Sequence, residues 1–293
     1  YLLGKEAYDQ KTGVLASAFM GLSYTHIILS HDLLVDPLLP IFWILTAYFF
    51  LKATKTKTQK HHIMIGVMTG LAILMKFTSL MLAIIIPIIL LFQKLVEVRK
   101  RKKEGTITHF FRAIKHTLTE RPFTTWALAT LATLFPYLLW NTVAHGNPIH
   151  SILTGLSLSG GQDPALRYVH NATALLPIIA FIGLFLFIPQ LKNFKYANIH
   201  VPVLFSLSLI IPLQFLVINK ELRFMLPAIP FLAIMAARGY LNLPLYKTIY
   251  KHILTGALIL AIAISIATLL PEDPQVKQPY IEHLKEGRLM TSG

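Results

Sequence analysis

Along most of its length the chain alternates between apolar runs and short polar connectors. Nine runs stand out, near residues 12–30, 33–51, 62–75, 77–93, 124–143, 172–190, 200–218, 223–239 and 252–270. Most have the length that crosses a hydrocarbon core of about 30 Å at 1.5 Å per residue, so they predict nine membrane-spanning helices. The stretch 63–93 is almost wholly apolar but carries Lys76 near its middle. One straight helix of that length would overshoot the bilayer, and a lysine at mid-membrane costs about 2.5–3.5 kcal/mol. Two short helices with Lys76-Phe77-Thr78 at the turn between them resolve both problems. A re-entrant pair that never leaves the membrane is the second arrangement.

Charge sets the direction of the weave. Lys52, Lys55, Lys57 and Lys60 precede the 63–93 stretch, and Lys94, Arg99, Lys100, Arg101, Lys102 and Lys103 follow it. Lys and Arg collect on the cytoplasmic side, so both flanks are placed inside and an even number of crossings lies between them. With the amino end inside, 20 of the 27 Lys and Arg fall on the inner side, while 8 of the 13 acidic residues fall outside. Within one inner connector, Ile107, Phe110, Phe111, Ile114 and Leu118 recur at helical spacing, with Arg112 and Lys115 elsewhere around the turn. That pattern predicts a basic amphipathic helix on the inner leaflet.

Composition agrees with the pattern and removes other classes. Hydrophobic residues make up 55% of 293 and charged residues 14%, with a mean hydropathy of +0.61. A typical globular domain holds roughly 25% charged residues, so an ordinary soluble enzyme is excluded. The net charge of +14 is taken up by topology-setting connectors, and no aromatic-basic groove points to nucleic acid. The chain has no Cys, hence no disulfide framework and no thiolate metal site. It opens on Tyr1 within a polar connector, YLLGKEAYDQKTG, which reads as a piece whose upstream portion is missing. The expected organisation is a transmembrane bundle over 1–270 and an outer tail over 271–293.

Candidate chemistry collects at the side expected to face outward. Asp32 and Asp36 lie four apart in SHDLLVDPLLP, so on a helix they share a face. Helix capping is the plain reading of both, but Asp36 sits deeper in apolar sequence, where a carboxylate is functional by default. Lys76 is either a snorkelling turn residue or an anion contact. The longest outer loop, 145–173, holds His145, His150 and His170 at spacings that fit no tight ligand pattern, and Asn171 in a glycosylation sequon. Lys220, Glu221 and Arg223 stand at the lip of an apolar run, on the side where the orientation rule disfavours cations. There Arg223 is placed to clamp a phosphate while Glu221 orients it, or the group is an interhelical ion pair.

Four stretches together resemble the GT-C superfamily of lipid-linked-sugar glycosyltransferases, in the branch of protein O-mannosyltransferases and lipid A aminoarabinose transferases. GVLASAFMGLSYTHIILSHDLLVDPLLPIFWILTAYFFLKA resembles that family's third and fourth spans, with an acidic residue before the returning helix. GVMTGLAILMKFTSLML resembles its hairpin with Lys at the turn, and WNTVAHGNPIHS the start of its large outer loop. KELRFMLPAIPFLAIMAARG resembles the charged Arg-Phe/Tyr-x-x-Pro start of a late span, and the related His-Lys-Glu-x-Arg-Phe motif with Asn219 in place of His. The likeness covers roughly residues 1–240.

The resemblance implies an all-α polytopic membrane protein, a GT-C-type bundle with about nine spans. It implies a plasma-membrane enzyme that takes a sugar from a polyprenyl-phosphate donor at the outer face and passes it, with inversion, to a protein, lipid or glycan acceptor. Asp36 matches the family's acidic position and Asp32 is a second catalytic candidate. Lys76, Lys220, Glu221 and Arg223 would meet the donor phosphate. The family's essential acid lies in a first outer loop, so the principal base is expected upstream of Tyr1. No cofactor follows with certainty, and a divalent metal is left open. Besides donor and acceptor, the implied partners are membrane lipids, without nucleic acid. The competing reading is a transporter or flippase for a lipid-linked or anionic solute. Such proteins set their charges at the midplane on broken helices, and here the charges gather at one face.

Overall fold

A computed structural model describes residues 1–30, 36–99, 114–157, 175–215, 222–242, and residues 255, 256 and 259. Among these every regular element is a helix and no strand occurs, so the chain is an all-α membrane protein. Two compact units divide it, Tyr1–Pro244 and Leu245–Gly293. The ninth expected span and the tail fall in the second unit, almost entirely outside the described residues.

The first unit begins with α1 (Leu2–Ala7), α2 (Gln10–Gly21) and α3 (Tyr24–Ser30). Asp9 starts α2 as its N-cap, accepting a 2.8 Å bond from the Thr12 amide. The run 12–30, expected as one span, is two helices. α2 stops at Gly21, a weak helix former, and the Ser23 hydroxyl accepts from the His26 amide at 3.3 Å to start α3. Next come α4 (Leu39–Thr56), α5 (Gln59–Met75) and α6 (Leu80–Arg99). The expected break in 63–93 is present, with Lys76 extended and Phe77–Ser79 forming a single 3₁₀ turn. Of the expected amphipathic helix only 114–119 is described, and it is helical.

α7 (Arg121–His145) carries Pro122 in its first turn and closes on Gly146 at φ 68, the left-handed stop that glycine makes without strain. α8 (His150–Ser157), α9 (Ile178–Phe187), α10 (Ala197–Phe215) and α11 (Ile229–Leu241) complete the unit. Among the described residues three helices are long and apolar enough to cross a membrane, Phe77–Leu95, Arg121–His145 and Arg223–Leu241, and Ala180–Asn193 and Ala197–Leu213 are shorter apolar helices. The Arg223–Leu241 span is 72% buried and therefore central. Arg121–His145 is 11% buried and presents Leu128, Phe135, Trp140 and Val143 outward, as a lipid-facing helix does.

Small residues set the closest helix contacts. A Cβ on Gly66 would lie 2.5 Å from the Trp126 carbonyl oxygen, and one on Gly70 would lie 2.6 Å from Thr133 Cβ. Across the same seam Trp126 Nε1 donates to Thr69 Oγ1 at 3.3 Å, and Thr130 Oγ1 to the Gly66 carbonyl at 3.2 Å. Gly66 faces Trp126 to Thr130 and Gly70 faces Thr130 to Thr133, so α5 and α7 run parallel. α9 and α11 do the same: Gly183 faces Ala236, and a Cβ on Gly239 would fall 1.9 Å from the Gly183 carbonyl oxygen. Without a hydrophobic force between helices in lipid, this close backbone approach supplies the packing. An aromatic line binds the centre, with Trp43 edge-on to Phe205 at 6.1 Å and Phe205 at 5.1 Å from Phe231.

Candidate functional site

Charged side chains divide between the two ends of these helices. At one end Glu6 pairs with Lys55 at 2.8 Å and Lys52 at 3.3 Å, Asp9 with Arg238 at 3.2 Å, and Glu120 with Lys94. At the other end the start of α4, the end of α5 and the approach to α11 converge.

Asp36 lies in the turn before α4, whose N-cap is Leu38. Its carboxylate is therefore turned to other partners than the helix end. One oxygen takes the Lys76 ammonium, and the other lies 3.8 Å from an Arg223 guanidinium nitrogen. Lys76 is presented by the break after α5. Its amide still closes that helix on the Ala72 carbonyl at 3.1 Å, and its own carbonyl accepts from the Ser79 amide at 2.9 Å. The buried Trp43 indole donates to Ser79 Oγ at 3.0 Å, so α4 grips the turn that carries Lys76.

Arg223 stands on a 3₁₀ segment, Leu222–Ala228. Pro227 removes an amide donor within this segment, and Pro230 stands in the first turn of the α-helix that starts at Ile229, where its missing amide is no loss. Phe224 follows on that segment. Its ring centroid lies 4.3 Å from Lys76 Nζ and 5.7 Å from the Arg223 guanidinium carbon. Cations over an aromatic face are held by the ring quadrupole.

Three residues singled out from sequence, Asp36, Lys76 and Arg223, thus meet although 40 positions separate the first two and the third lies on the far side of the bundle's long loop. Asp32, Lys220, Glu221, His170 and Asn171 lie outside the described residues. The sequence reading missed Phe224, Trp43 and Ser79. Phe224 was legible as the neighbour of Arg223, whereas nothing in an apolar span marks Trp43 as a hydrogen-bond donor to a distant turn.

Exposure rises across the site, from 5% for the Asp36 side chain through 15% for Lys76 to 34% for Arg223. Among the described residues two cations, Lys76 and Arg223, face the Asp36 carboxylate, and Arg223 stands at the open edge. Such a group can receive an anion with Arg223 as the outward contact. Asp36 is the one carboxylate at this group among the described residues. At the end of α7, buried Asn141 donates to the Tyr137 carbonyl at 2.9 Å and accepts from the Ser151 amide at 3.3 Å, tying α8 to α7. The His145 and His150 rings stack there at 4.3 Å. Among the described residues no group of three or more His, Cys, Asp or Glu is placed to hold a metal ion.

Residues 1–114, which include Asp36 and Lys76, match the family model described as dolichyl-phosphate-mannose-protein mannosyltransferase. No curated protein and no solved structure matches the chain. The match covers residues 1–114 of 293, and with the all-helical membrane architecture it supports a membrane glycosyltransferase of the GT-C type.

Proposed function

We propose that the Asp36–Lys76–Arg223 group receives the phosphate of a polyprenyl-phosphate sugar, such as dolichyl-phosphate mannose, at the outer face of the cell membrane. The observation that supports this reading is the convergence of two cations on one buried carboxylate at a single end of the bundle. The surplus of Lys and Arg in the other set of connectors supports its outward placement.

In this reading an acceptor hydroxyl attacks the anomeric carbon from the face opposite the lipid phosphate. The new carbon–oxygen bond forms as the bond to the phosphate oxygen breaks, with inversion at that carbon. The electron pair leaves with the polyprenyl phosphate, and the hydroxyl proton passes to a carboxylate base. Negative charge grows on the departing phosphate, where Lys76 and Arg223 stabilise it. Asp36 has its two oxygens on these two cations, so its role is to fix them in place before the donor arrives. The proton acceptor is a separate carboxylate.

The test is to incubate membranes containing the protein with radiolabelled polyprenyl-phosphate sugars and protein, glycolipid or polymer acceptors. Label transferred to an acceptor, and lost in Arg223→Ala, supports the reading. Label that crosses the membrane without joining any acceptor would move the function to transport.

A further inference from the structure

One cavity of the bundle does not adjoin the Asp36 group. It has a volume of about 420 Å³ and lies at the opposite end, between the last turn of α4, the end of α6 and the start of α7. Its lining changes character with depth. Lys57 and Glu120 stand at the ends of α4 and α7 and Lys94 at the end of the apolar span Phe77–Leu95, whereas Phe50, Leu90 and Phe123 come one to two turns further in. Lys94 is within the last two residues of the spanning segment Phe77–Leu95, which sets the rim at headgroup depth and the apolar floor within the hydrocarbon.

The charges of the rim are unequal. Among the described lining residues two lysines, Lys57 and Lys94, stand with one glutamate, Glu120, which pairs with Lys94. Lys57 is also held unusually. It closes α4 at φ 54 and is the one non-glycine residue with positive φ among the described residues. That conformation suits glycine, and a side chain there is strained, so a lysine at the mouth of a cavity points to use of the side chain.

We propose that this cavity holds one anionic phospholipid, its phosphodiester at Lys57 and Lys94 and the upper part of its acyl chains against Phe50, Leu90 and Phe123. A basic rim over an apolar floor between membrane helices matches that amphiphile, and neither a free anion nor an apolar ligand uses both halves. The site is separate from the Asp36 group and does not depend on the role given to that group.

Native mass spectrometry of the whole protein, released from bilayers of equal parts phosphatidylcholine and phosphatidylglycerol, tests this. The expected result is one retained phosphatidylglycerol per chain, with occupancy falling about fivefold for each of Lys57→Gln and Lys94→Gln. Lys60→Gln, which alters a lysine outside the cavity, should keep it. Because Lys94→Gln also breaks the pair with Glu120, Phe123→Trp gives an independent variant, which fills the floor with every charge retained and should also expel the lipid. Equal retention of both lipids, retention unchanged in Lys57→Gln and Phe123→Trp, or displacement of the lipid by millimolar inorganic phosphate would overturn the proposal.

Discussion

Lys76 and Asp36 form an ion pair with side chains only 15% and 5% exposed, joining the break after α5 to the turn before α4. Burying two charges costs several kcal/mol each before their attraction is counted, and a well-packed apolar pair is often as stable. The pair is thus poorly explained as a stabilising device. Asp36→Asn should lower stability by about 3–5 kcal/mol, because it leaves Lys76 buried without its carboxylate. The double variant Asp36→Leu with Lys76→Leu should recover most of that loss and still fail to transfer sugar. Thermal melting and transfer assays on the same preparations check both halves, and an active double variant would refute the role of the pair.

Phe224 gives a finer test of how the cations are held. Its ring lies under Lys76 at 4.3 Å, and such contacts contribute about 0.5–1 kcal/mol when partly exposed. Phe224→Leu keeps bulk but removes the ring face, so the apparent KM for the donor should rise about two- to fivefold. Melting should hardly change. A steady-state titration of donor reads the difference.

Helix packing makes a sharper structural prediction. A Cβ at Gly239 would sit 1.9 Å from the Gly183 carbonyl oxygen, and at Gly183 2.3 Å from that of Ala236. Backbone cannot yield as a flexible side chain does. Gly239→Ala should therefore destabilise the bundle by about 1–3 kcal/mol, whereas Gly21→Ala, with open space around it, should not. Unfolding in detergent compares the two.

The pairing at the opposite end predicts an acid limit. Burial raises the Glu6 carboxyl, but its bonds and charges from Lys55 and Lys52 outweigh that and hold it below its ordinary 4.5. The Thr12 amide leads in holding Asp9 below its ordinary 3.8, against burial and with help from Arg238. A carboxylate with a depressed folded-state pKa contributes stability above its unfolded value and loses it as pH falls through the folded one. Melting temperature should stay level from neutral pH to about 5 and fall below 4.5. Glu6→Gln should lower the plateau and make the fall shallower.

How far the sequence carried these conclusions depended on the range of the interaction. Runs of apolar residues and flanking lysines are local, so most helices, the break at Lys76 and the sharing of one end by Asp36, Lys76 and Arg223 were legible in it. The division of 12–30 at Leu22–Ser23 was missed because hydropathy averages over a serine that caps a helix. The 3₁₀ approach of Leu222–Ala228 was hidden because two prolines in an apolar run leave hydropathy unchanged. Trp43 to Ser79 and Asn141 to Ser151 join residues whose types do not announce each other, so only coordinates pair them.

The central claim is that Arg223 and Lys76 meet the donor's phosphate, with Asp36 holding them. The most direct measurement is transfer of labelled mannose from dolichyl-phosphate mannose by protein bearing Arg223→Ala, with expression and melting monitored in parallel. Removing a donor aimed at developing charge slows turnover about 10²–10³-fold, and that loss is expected with folding intact. Turnover equal to that of the unaltered protein would contradict the account.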